Sequence, residues 1–303
     1  MSKLLVVIAG PTAVGKTSVA VGLACALKTH ILSCDSRQFF RELAIGTAIP
    51  TPEERHLAPH HFIGNLSVKD YYNAARYELE AFELLEQLFI EHDVVLLCGG
   101  SGLYINALCK GIDELPDPDP IVRRSLKTDY TRFGIGHLQH LLQQLDPEYY
   151  DKVDTKNPNR LLRAIEVSIA AGKPYSTLLR HESKPRLFNI LKIGLNRERT
   201  ELFNRINHRA DKMIAQGLVE EVRSLAAYRH LNALNTVGYK EIFEYFDAKI
   251  TLEQAVADIK TNTRRYAKRQ LTWFKKDPEY QWFHPSEQDE VLQRIKTTMK
   301  SLI

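Results

Sequence analysis

Nearly continuous apolar runs alternate with amphipathic stretches in the first hundred residues of the chain. Leu4–Ile8, Ile31–Cys34 and Val94–Cys98 are almost wholly apolar, which is typical of strands buried on both faces of a parallel sheet. Residues 19–27 and 69–91 instead place apolar side chains at helical spacing. The order strand, helix, strand, helix, strand predicts a doubly wound α/β domain.

Long helices and two later extended segments are predicted from the same patterns. In the helix predicted over residues 69–91, the side chains that point to the core include Tyr72, Ala75, Leu79, Phe82 and Leu85. Asn189–Leu195 has the pattern of a buried strand, and a long helix is predicted after it, from about Glu198 to Ala227. A short extended segment is expected near Tyr280–Phe283.

The middle of the chain has a different pattern of apolar and polar residues. A connector broken by prolines, residues 115–120, leads into sequence that is helical to about residue 180 and contains no buried-strand signal. We therefore predict a helical insertion domain, residues 113–185, within an α/β core made of residues 1–112 and 186–303. That core is expected to be a parallel sheet flanked by helices.

The turn after the first predicted strand carries the strongest chemical signal in the sequence. Its residues form a complete G-x-x-x-x-G-K-[ST] P-loop motif: Gly10, Pro11, Thr12, Ala13, Val14, Gly15, Lys16 and Thr17. The glycines let backbone N–H groups surround phosphate oxygens, Lys16 neutralises charge, and Thr17 offers a hydroxyl to Mg²⁺. We therefore expect a diphosphate or triphosphate to bind here.

An acidic residue for magnesium or for catalysis is expected outside the usual place. The strand Val94–Cys98 ends in Gly99–Gly102, without the acid that most P-loop nucleotidases carry there, which argues against a typical ATPase or GTPase. Asp35 ends the second predicted strand, which we expect beside the first. Its carboxylate would then face the ligand crevice near the P-loop, where it could accept a proton or share the metal ion.

Basic residues in the C-terminal half suggest contacts with a polyanion. Residues 1–100 carry 8 Lys and Arg against 11 Asp and Glu, although the whole chain has a net charge of +4. Arg199, Arg205 and Arg209 fall on the helix after residue 197, where one or more could reach a diphosphate. The acid-free segment 261–276 combines basic and aromatic residues, as nucleic-acid-binding helices do.

No apolar run is long enough to span a membrane, and the residues before Leu4 are too few for a signal peptide, so we expect a cytoplasmic protein. The four scattered cysteines are expected to be reduced thiols of the core.

Together these residues resemble the bacterial tRNA dimethylallyltransferases, also called tRNA isopentenyltransferases. The resemblance extends over essentially the whole chain, and its seven segments occur in the expected order. They are residues 10–17, Asp35–Gln38, Ile45–Ala48, Gly99–Tyr104, Asn159–Ala164, Val237–Glu241 and Ala267–Trp273.

The resemblance implies an enzyme that transfers a dimethylallyl group from dimethylallyl diphosphate to N6 of the adenine immediately 3′ of the anticodon of a tRNA. It implies that the P-loop holds this donor with Mg²⁺ as cofactor, and that the adenine is flipped into a channel. The catalytic positions that it implies are Thr12, Lys16, Asp35 as general base, and Arg205 at the diphosphate. A monomer without membrane association is expected.

The resemblance also implies the positions that hold the anticodon stem-loop. They are Asp35, Ser36, Arg37, Gln38, Ser101, Arg123, Asn159, Arg160, Leu161, Leu162, Arg163, Asn235, Thr236, Val237, Gly238, Tyr239, Lys240, Lys268, Arg269, Gln270, Leu271, Thr272, Trp273, Phe274 and Lys275. Two departures from the family pattern stand out. Ser101 replaces a common threonine and keeps the hydroxyl, whereas residues 62–65 lack an aspartate that relatives usually have.

Two other functions are compatible with parts of the sequence. A P-loop kinase for a small metabolite would use Asp35 to deprotonate a hydroxyl, but it leaves the basic aromatic helix without a purpose. A non-catalytic RNA-binding protein would not need Asp35 and Arg205.

Overall fold

The computed structural model describes residues 2–180 and 182–302, and it is built around one parallel sheet of six strands. The strands are β1 (Leu4–Ala9), β2 (Ile31–Ser33), β3 (His60–His61), β4 (Val94–Gly99), β5 (Asn189–Leu195) and β6 (Gln281–Phe283). Their order is β3-β2-β4-β1-β5-β6, and each neighbouring pair is parallel. The predicted α/β fold is confirmed.

Helices cover both faces of the sheet and make up most of the regular secondary structure outside it. Those of the first half are α1 (Lys16–Leu27), α2 (Ala44–Thr47), α3 (Pro52–Leu57), α4 (Ala74–Glu91), α5 (Gly102–Lys110), α6 (Pro120–Phe133), α7 (Ile135–Leu145) and α8 (Pro147–Lys152). Those that follow are α9 (Pro158–Ala171), α10 (Arg199–Ala215), α11 (Leu218–Ser224), α12 (Tyr239–Phe246), α13 (Leu252–Phe274) and α14 (Gln288–Ser301).

The chain folds into two compact units. One contains the residues up to Lys110 and from Pro185 onward, and the other is Gly111–Lys184. The second unit packs α6 to α9 around buried leucines such as Leu138 and Leu142. The domain ranges expected from the sequence also include Met1, His181 and Ile303, which lie outside the described residues.

The position predicted for the second strand is wrong, because β4 lies between β1 and β2. Ile31 pairs with Leu96, and Leu5 pairs with Val95 on the other side of β4. The longer apolar strands occupy the centre, where both faces are buried, whereas β2 has only three residues.

The inward face predicted for the helix over residues 69–91 is right for Phe82 and Leu85, which pack in the core, but wrong for Ala75 and Leu79. The helix begins at Ala74, after Asn73 accepts a hydrogen bond from the Arg76 amide. Tyr77 is fully buried and its hydroxyl donates to the Ser33 carbonyl, which fixes the inward face of α4. Two residues farther on, Leu79 points away and is 68% exposed, and Ala75 is exposed as well.

The long helix predicted from Glu198 to Ala227 is two helices, α10 and α11. Gly217, between them, has a φ of +98°, a conformation that a non-glycine residue rarely adopts and that ends the helix. The prediction for the cysteines is wrong for Cys25, which is exposed at the surface of α1. Within residues 2–180 and 182–302, every helix is too short or too polar to span a bilayer.

Candidate active site

The P-loop, residues 10–17, connects β1 to α1 at the carboxyl edge of the sheet. Gly10 and Gly15 have φ values of +154° and +110°, and a Cβ at Gly10 would stand 2.5 Å from the Leu195 carbonyl oxygen. Gly15 caps the twelve-residue helix α1 without a side-chain hydrogen bond, so the first amides of the helix remain available. Such amides form an anion-binding site at the positive end of the helix dipole.

Lys16 holds its ammonium group inside this loop. Its Nζ donates to the carbonyl oxygens of Gly10, at 3.1 Å, and Pro11, at 2.9 Å. Burial lowers the pKa of Lys16, and the nearby carboxylate of Asp35 opposes that shift. A phosphate bound at the loop would meet a positive charge that is already in place.

A cavity of about 510 Å³ begins at the P-loop and brings many of the predicted site residues together. From the predicted set, it is lined by Thr12, Lys16, Asp35, Ser36, Arg37, Asn235, Thr236, Val237, Gly238, Lys240, Arg269 and Gln270. Residues that the sequence reasoning did not assign to the site also line it, including Gly46, Thr47, Asn262 and Thr263. All of these residues belong to the unit that contains the sheet.

Asp35 lies two residues beyond the end of β2 and still lines the cavity although β4 separates β2 from β1. One carboxylate oxygen, Oδ1, accepts from the Arg37 amide at 3.0 Å. Within the described part of the chain, no hydrogen bond reaches Oδ2 and no cation forms an ion pair with this carboxylate. The side chain is therefore oriented by its own loop and keeps an oxygen for a ligand.

The side chain of Gln270 connects α13 to the P-loop. Its Oε1 accepts from the Thr12 amide and its Nε2 donates to the Gly100 carbonyl, both at 2.8 Å. A Cβ at Gly100, the residue after β4, would lie 2.3 Å from this Nε2, so a larger residue there would displace the Gln270 amide. Gln270 therefore fixes the basic helix against the phosphate-binding loop.

Ser101 and Ser36 join two other loops at the same edge of the sheet. The Ser36 amide donates to Ser101 Oγ at 3.1 Å, and the two hydroxyl oxygens lie 3.3 Å apart. The side-chain Nε2 of Gln38 donates to the carbonyl oxygens of Thr47 and Ala48, at 3.2 and 3.1 Å. The loop after β2 thus has a defined conformation before any ligand binds.

Three arginines surround the P-loop in different ways. Arg205, which the resemblance assigns to the diphosphate, is exposed and donates from Nε to the Ala13 carbonyl at 2.8 Å. Arg209, one turn farther along α10, lines the cavity and donates to the Thr47 carbonyl at 3.0 Å. Burial lowers the pKa of Arg209, and the carboxylate of Asp35 opposes that shift. Arg197 donates to the Val14 carbonyl at 2.7 Å.

The sequence analysis did not identify Arg197 as a site residue, although its position in the sequence could have indicated it. It follows β5 by two residues, and the carboxyl ends of parallel strands meet at the ligand-binding edge of the sheet.

The predicted RNA-binding positions divide into surface and core residues. Along α13 and just after it, Lys268, Thr272, Trp273 and Lys275 are exposed, and Leu271 is half-buried. On α9, Asn159 and Arg160 are exposed and Arg163 is half-buried, while Arg123 on α6 binds Glu166 through two hydrogen bonds of 2.8 Å.

Four of those positions have buried aliphatic or aromatic side chains: Leu161, Leu162, Tyr239 and Phe274. Their apolar bodies fill the cores of the two units, so they support the surface and do not offer side chains to an RNA. These four side chains are therefore not exposed for contact with RNA, contrary to the role that the resemblance implies for them.

The fold and the cavity define an α/β protein in which a loop with the P-loop sequence, a carboxylate and a residue of a basic helix share one site. The family model described as "IPP transferase" matches residues 38–277. The chain is 50% identical to tRNA dimethylallyltransferase 1 of Bacteroides fragilis (strain YCH46), covering 99% of each chain. It is 52% identical to tRNA dimethylallyltransferase 2 of Porphyromonas gingivalis (strain ATCC 33277), covering 93% of this chain and 94% of that one.

Solved structures of similar proteins agree over nearly the full length. The tRNA isopentenylpyrophosphate transferase of Bacillus halodurans is 33% identical, with a TM-score of 0.73 over 99% of this chain and 98% of its own. A eukaryotic dimethylallyltransferase acting on tRNA is 25% identical, with a TM-score of 0.73 over 90% of this chain and 70% of its own. The chain belongs to the IPP transferase family.

Proposed function

We propose that this chain transfers the dimethylallyl group of dimethylallyl diphosphate to N6 of an adenine in tRNA and releases diphosphate. The observation that carries the proposal is that one cavity joins the P-loop, Asp35 and, on α13, the basic residue Arg269. A phosphate-binding loop alone suits many substrates, whereas this combination suits a diphosphate donor and a polyanionic acceptor together.

The diphosphate would bind the free amides at the start of α1, with Lys16 and Arg209 providing positive charge. Thr17 offers a hydroxyl oxygen, a hard ligand of the kind that Mg²⁺ prefers alongside phosphates and water. When bound, the ion supplies further neutralisation of the leaving group. Among the described residues no cluster of three or more His, Cys, Asp or Glu side chains could hold a metal, which fits an ion bound largely through its substrate.

The dimethylallyl chain would lie along the apolar part of the cavity. Ile206, Ala210 and Met213 follow one another along a single face of α10, and Ile259 and Val237 complete that lining. The step from Ile206 to Ala210 is about one helical turn, or about 6 Å at 1.5 Å per residue. Apolar walls of this length suit a five-carbon chain that starts at a diphosphate in the P-loop.

The transfer breaks the bond between the allylic carbon and the diphosphate oxygen, whose electron pair stays on the leaving group. The nitrogen N6 of adenine forms the new bond to that carbon and loses a proton, which the free oxygen of Asp35 accepts. Lys16 and Arg209 stabilise the charge that develops on the diphosphate. Asn235, Thr236, Asn262 and Thr263 give the cavity polar groups for the edges of a flipped base.

On the strength of the family resemblance, we further propose that the target is the adenine immediately 3′ of the anticodon and that the enzyme works in the cytoplasm as a monomer. The exposed basic residues of α13, such as Lys268, would contact the phosphates of the anticodon stem-loop.

Titration calorimetry separates this function from that of a metabolite kinase. With Mg²⁺ present and tRNA absent, dimethylallyl diphosphate should bind with micromolar affinity and ATP much more weakly. Tight ATP binding, with no heat from dimethylallyl diphosphate, would favour the kinase and contradict the proposal.

A further inference from the structure

Glu221, on α11, contacts two separate walls of the cavity although it does not line the cavity itself. Its Oε2 accepts from the Ile45 amide at 2.7 Å and its Oε1 from the Gly46 amide at 3.0 Å. The Tyr239 hydroxyl also donates to Oε1, at 2.6 Å. One carboxylate therefore serves three donors from α2 and α12.

The contact between α2 and Tyr239 is close. A Cβ at Gly46 would lie 2.5 to 2.7 Å from three atoms of the Tyr239 side chain, so only glycine fits against this ring. Tyr239 is fully buried, and α2 consists of only four residues. So short a helix has too few internal hydrogen bonds to hold its own position, and Glu221 together with the ring supplies the missing restraint.

Displacing α2 would disturb the residues proposed to hold the donor. The Thr47 carbonyl at its end accepts from Arg209 at 3.0 Å and from Gln38 at 3.2 Å. Both Gly46 and Thr47 also line the cavity directly. The orientation of Arg209 at the proposed diphosphate position therefore depends on where Glu221 holds α2.

The second wall depends on the same carboxylate through Tyr239. This residue begins α12 directly after the cavity-lining segment 235–238. The Gly238 amide donates to Glu241 at 2.8 Å, and Glu241 accepts from Asn262 on α13 at 2.7 Å. The segment at the proposed base-binding side is thus fixed at one end by Glu221 acting through Tyr239.

We propose that Glu221 is a positioning residue that sets the spacing between the donor wall, residues 45–48, and the acceptor wall, residues 235–240. This role rests on the proposed function. It predicts that losing the carboxylate impairs the use of both substrates, whereas losing a P-loop side chain impairs donor binding first.

The test compares Glu221→Gln with Glu220→Gln, a matched change at the exposed neighbour on the same helix. The amide side chain has one accepting oxygen and an NH₂ group, so it cannot accept from all three donors. Misplacement of reacting groups by about 1 Å can cost about 100-fold in rate. We expect kcat/KM to fall about 10- to 100-fold in Glu221→Gln, with higher KM for both dimethylallyl diphosphate and tRNA, and Glu220→Gln to match the wild type.

A spectroscopic readout accompanies the kinetics. In proton–nitrogen correlation spectra, the Ile45 and Gly46 amide resonances should shift in Glu221→Gln and stay in place in Glu220→Gln. Wild-type kinetics in Glu221→Gln would overturn the proposal, whether or not the two amide resonances shift. If Glu221→Gln does not fold, Tyr239→Phe, which removes only the hydroxyl, should lower kcat/KM several-fold, and unchanged kinetics in that variant would overturn it equally.

The same experiments distinguish a failure of the proposed function from a failure of the positioning role. A wild-type protein that modifies no tRNA contradicts the proposed function, whereas the amide shifts of Ile45 and Gly46 still report whether Glu221 holds α2. An active wild type with an equally active Glu221→Gln contradicts only the positioning role.

Discussion

Arg209 should matter more to donor binding than Arg205, although the family resemblance assigns that role to Arg205. Arg209 lines the cavity, and none of the residues that the structure describes forms an ion pair with it. Arg205 is exposed and uses its Nε to hold the Ala13 carbonyl from outside. Replacing each arginine by glutamine removes the charge while keeping much of the side-chain length.

The expected magnitudes follow from the two environments. A hydrogen bond to a charged group contributes about 1.5–3 kcal/mol, and tenfold in affinity corresponds to about 1.4 kcal/mol. Arg209→Gln should therefore weaken binding of dimethylallyl diphosphate about 10- to 150-fold. Arg205→Gln loses one exposed hydrogen bond to the loop, worth about 1 kcal/mol, and should weaken it by less than about tenfold.

Titration calorimetry with dimethylallyl diphosphate and Mg²⁺, in the absence of tRNA, measures this directly. Thermal unfolding of both variants serves as the control for folding. A loss of affinity in Arg205→Gln that equals or exceeds the loss in Arg209→Gln would refute the assignment drawn from the cavity.

Three other variants test the remaining parts of the site. Lys16→Ala should weaken donor binding and sharply reduce turnover, and a fully active variant would exclude the P-loop from the mechanism. EDTA should suppress turnover in the wild type, and full activity in its presence would exclude the metal ion. Asp35→Asn should lower kcat about 10²- to 10⁴-fold with little change in donor affinity, the usual scale for a lost general base, and a near-normal kcat would return Asp35 to the role of a turn residue. The double variant Lys268→Ala, Lys275→Ala should bind tRNA more weakly, and the slope of its affinity against salt concentration on logarithmic axes should fall by about one unit per lost phosphate contact. The control is the double variant Lys296→Ala, Lys300→Ala. If both double variants bind tRNA with the same affinity, α13 does not form an RNA surface.

The parts of the fold that the sequence predicted are those determined by local patterns. β1, the P-loop and α1 follow from an apolar run, a glycine motif and a helical period, and they occur where expected. Asn189–Leu195 is a strand with the predicted bounds, because a run of this kind in a parallel sheet leaves little alternative. The family was likewise identified correctly from seven short segments.

Strand order and helix phase could not be obtained in the same way. Nothing local in Ile31–Ser33 shows that Val94–Gly99 inserts between it and β1, because that arrangement depends on contacts far apart in sequence. The inward face of α4 was misjudged at Ala75 and Leu79 because both residues are apolar, whereas the buried face contains Tyr77, whose hydroxyl donates to the distant Ser33 carbonyl. Gly217 was visible in the sequence, but a single glycine within a helical pattern does not by itself require a break.

At the candidate site, the sequence supplied residue types and the structure supplied their neighbours. Arg205 and Arg209 lie four residues apart on one face of a helix, so the pattern cannot tell which of them enters the cavity. Gln270 and Glu221 accept hydrogen bonds from backbone amides that are distant in the sequence, and no spacing rule links them to those amides. The roles given to the predicted site residues stay predictions until the substitutions are measured.

The central claim is that this protein prenylates an adenine of tRNA, and mass analysis of modified nucleosides tests it most directly. Unmodified tRNA would be incubated with the protein, Mg²⁺ and dimethylallyl diphosphate, digested to nucleosides, and compared with a parallel reaction containing Lys16→Ala. The account predicts a nucleoside heavier than adenosine by one C₅H₈ unit in the wild-type reaction and little or none with Lys16→Ala. A wild-type digest containing only unmodified adenosine would contradict it.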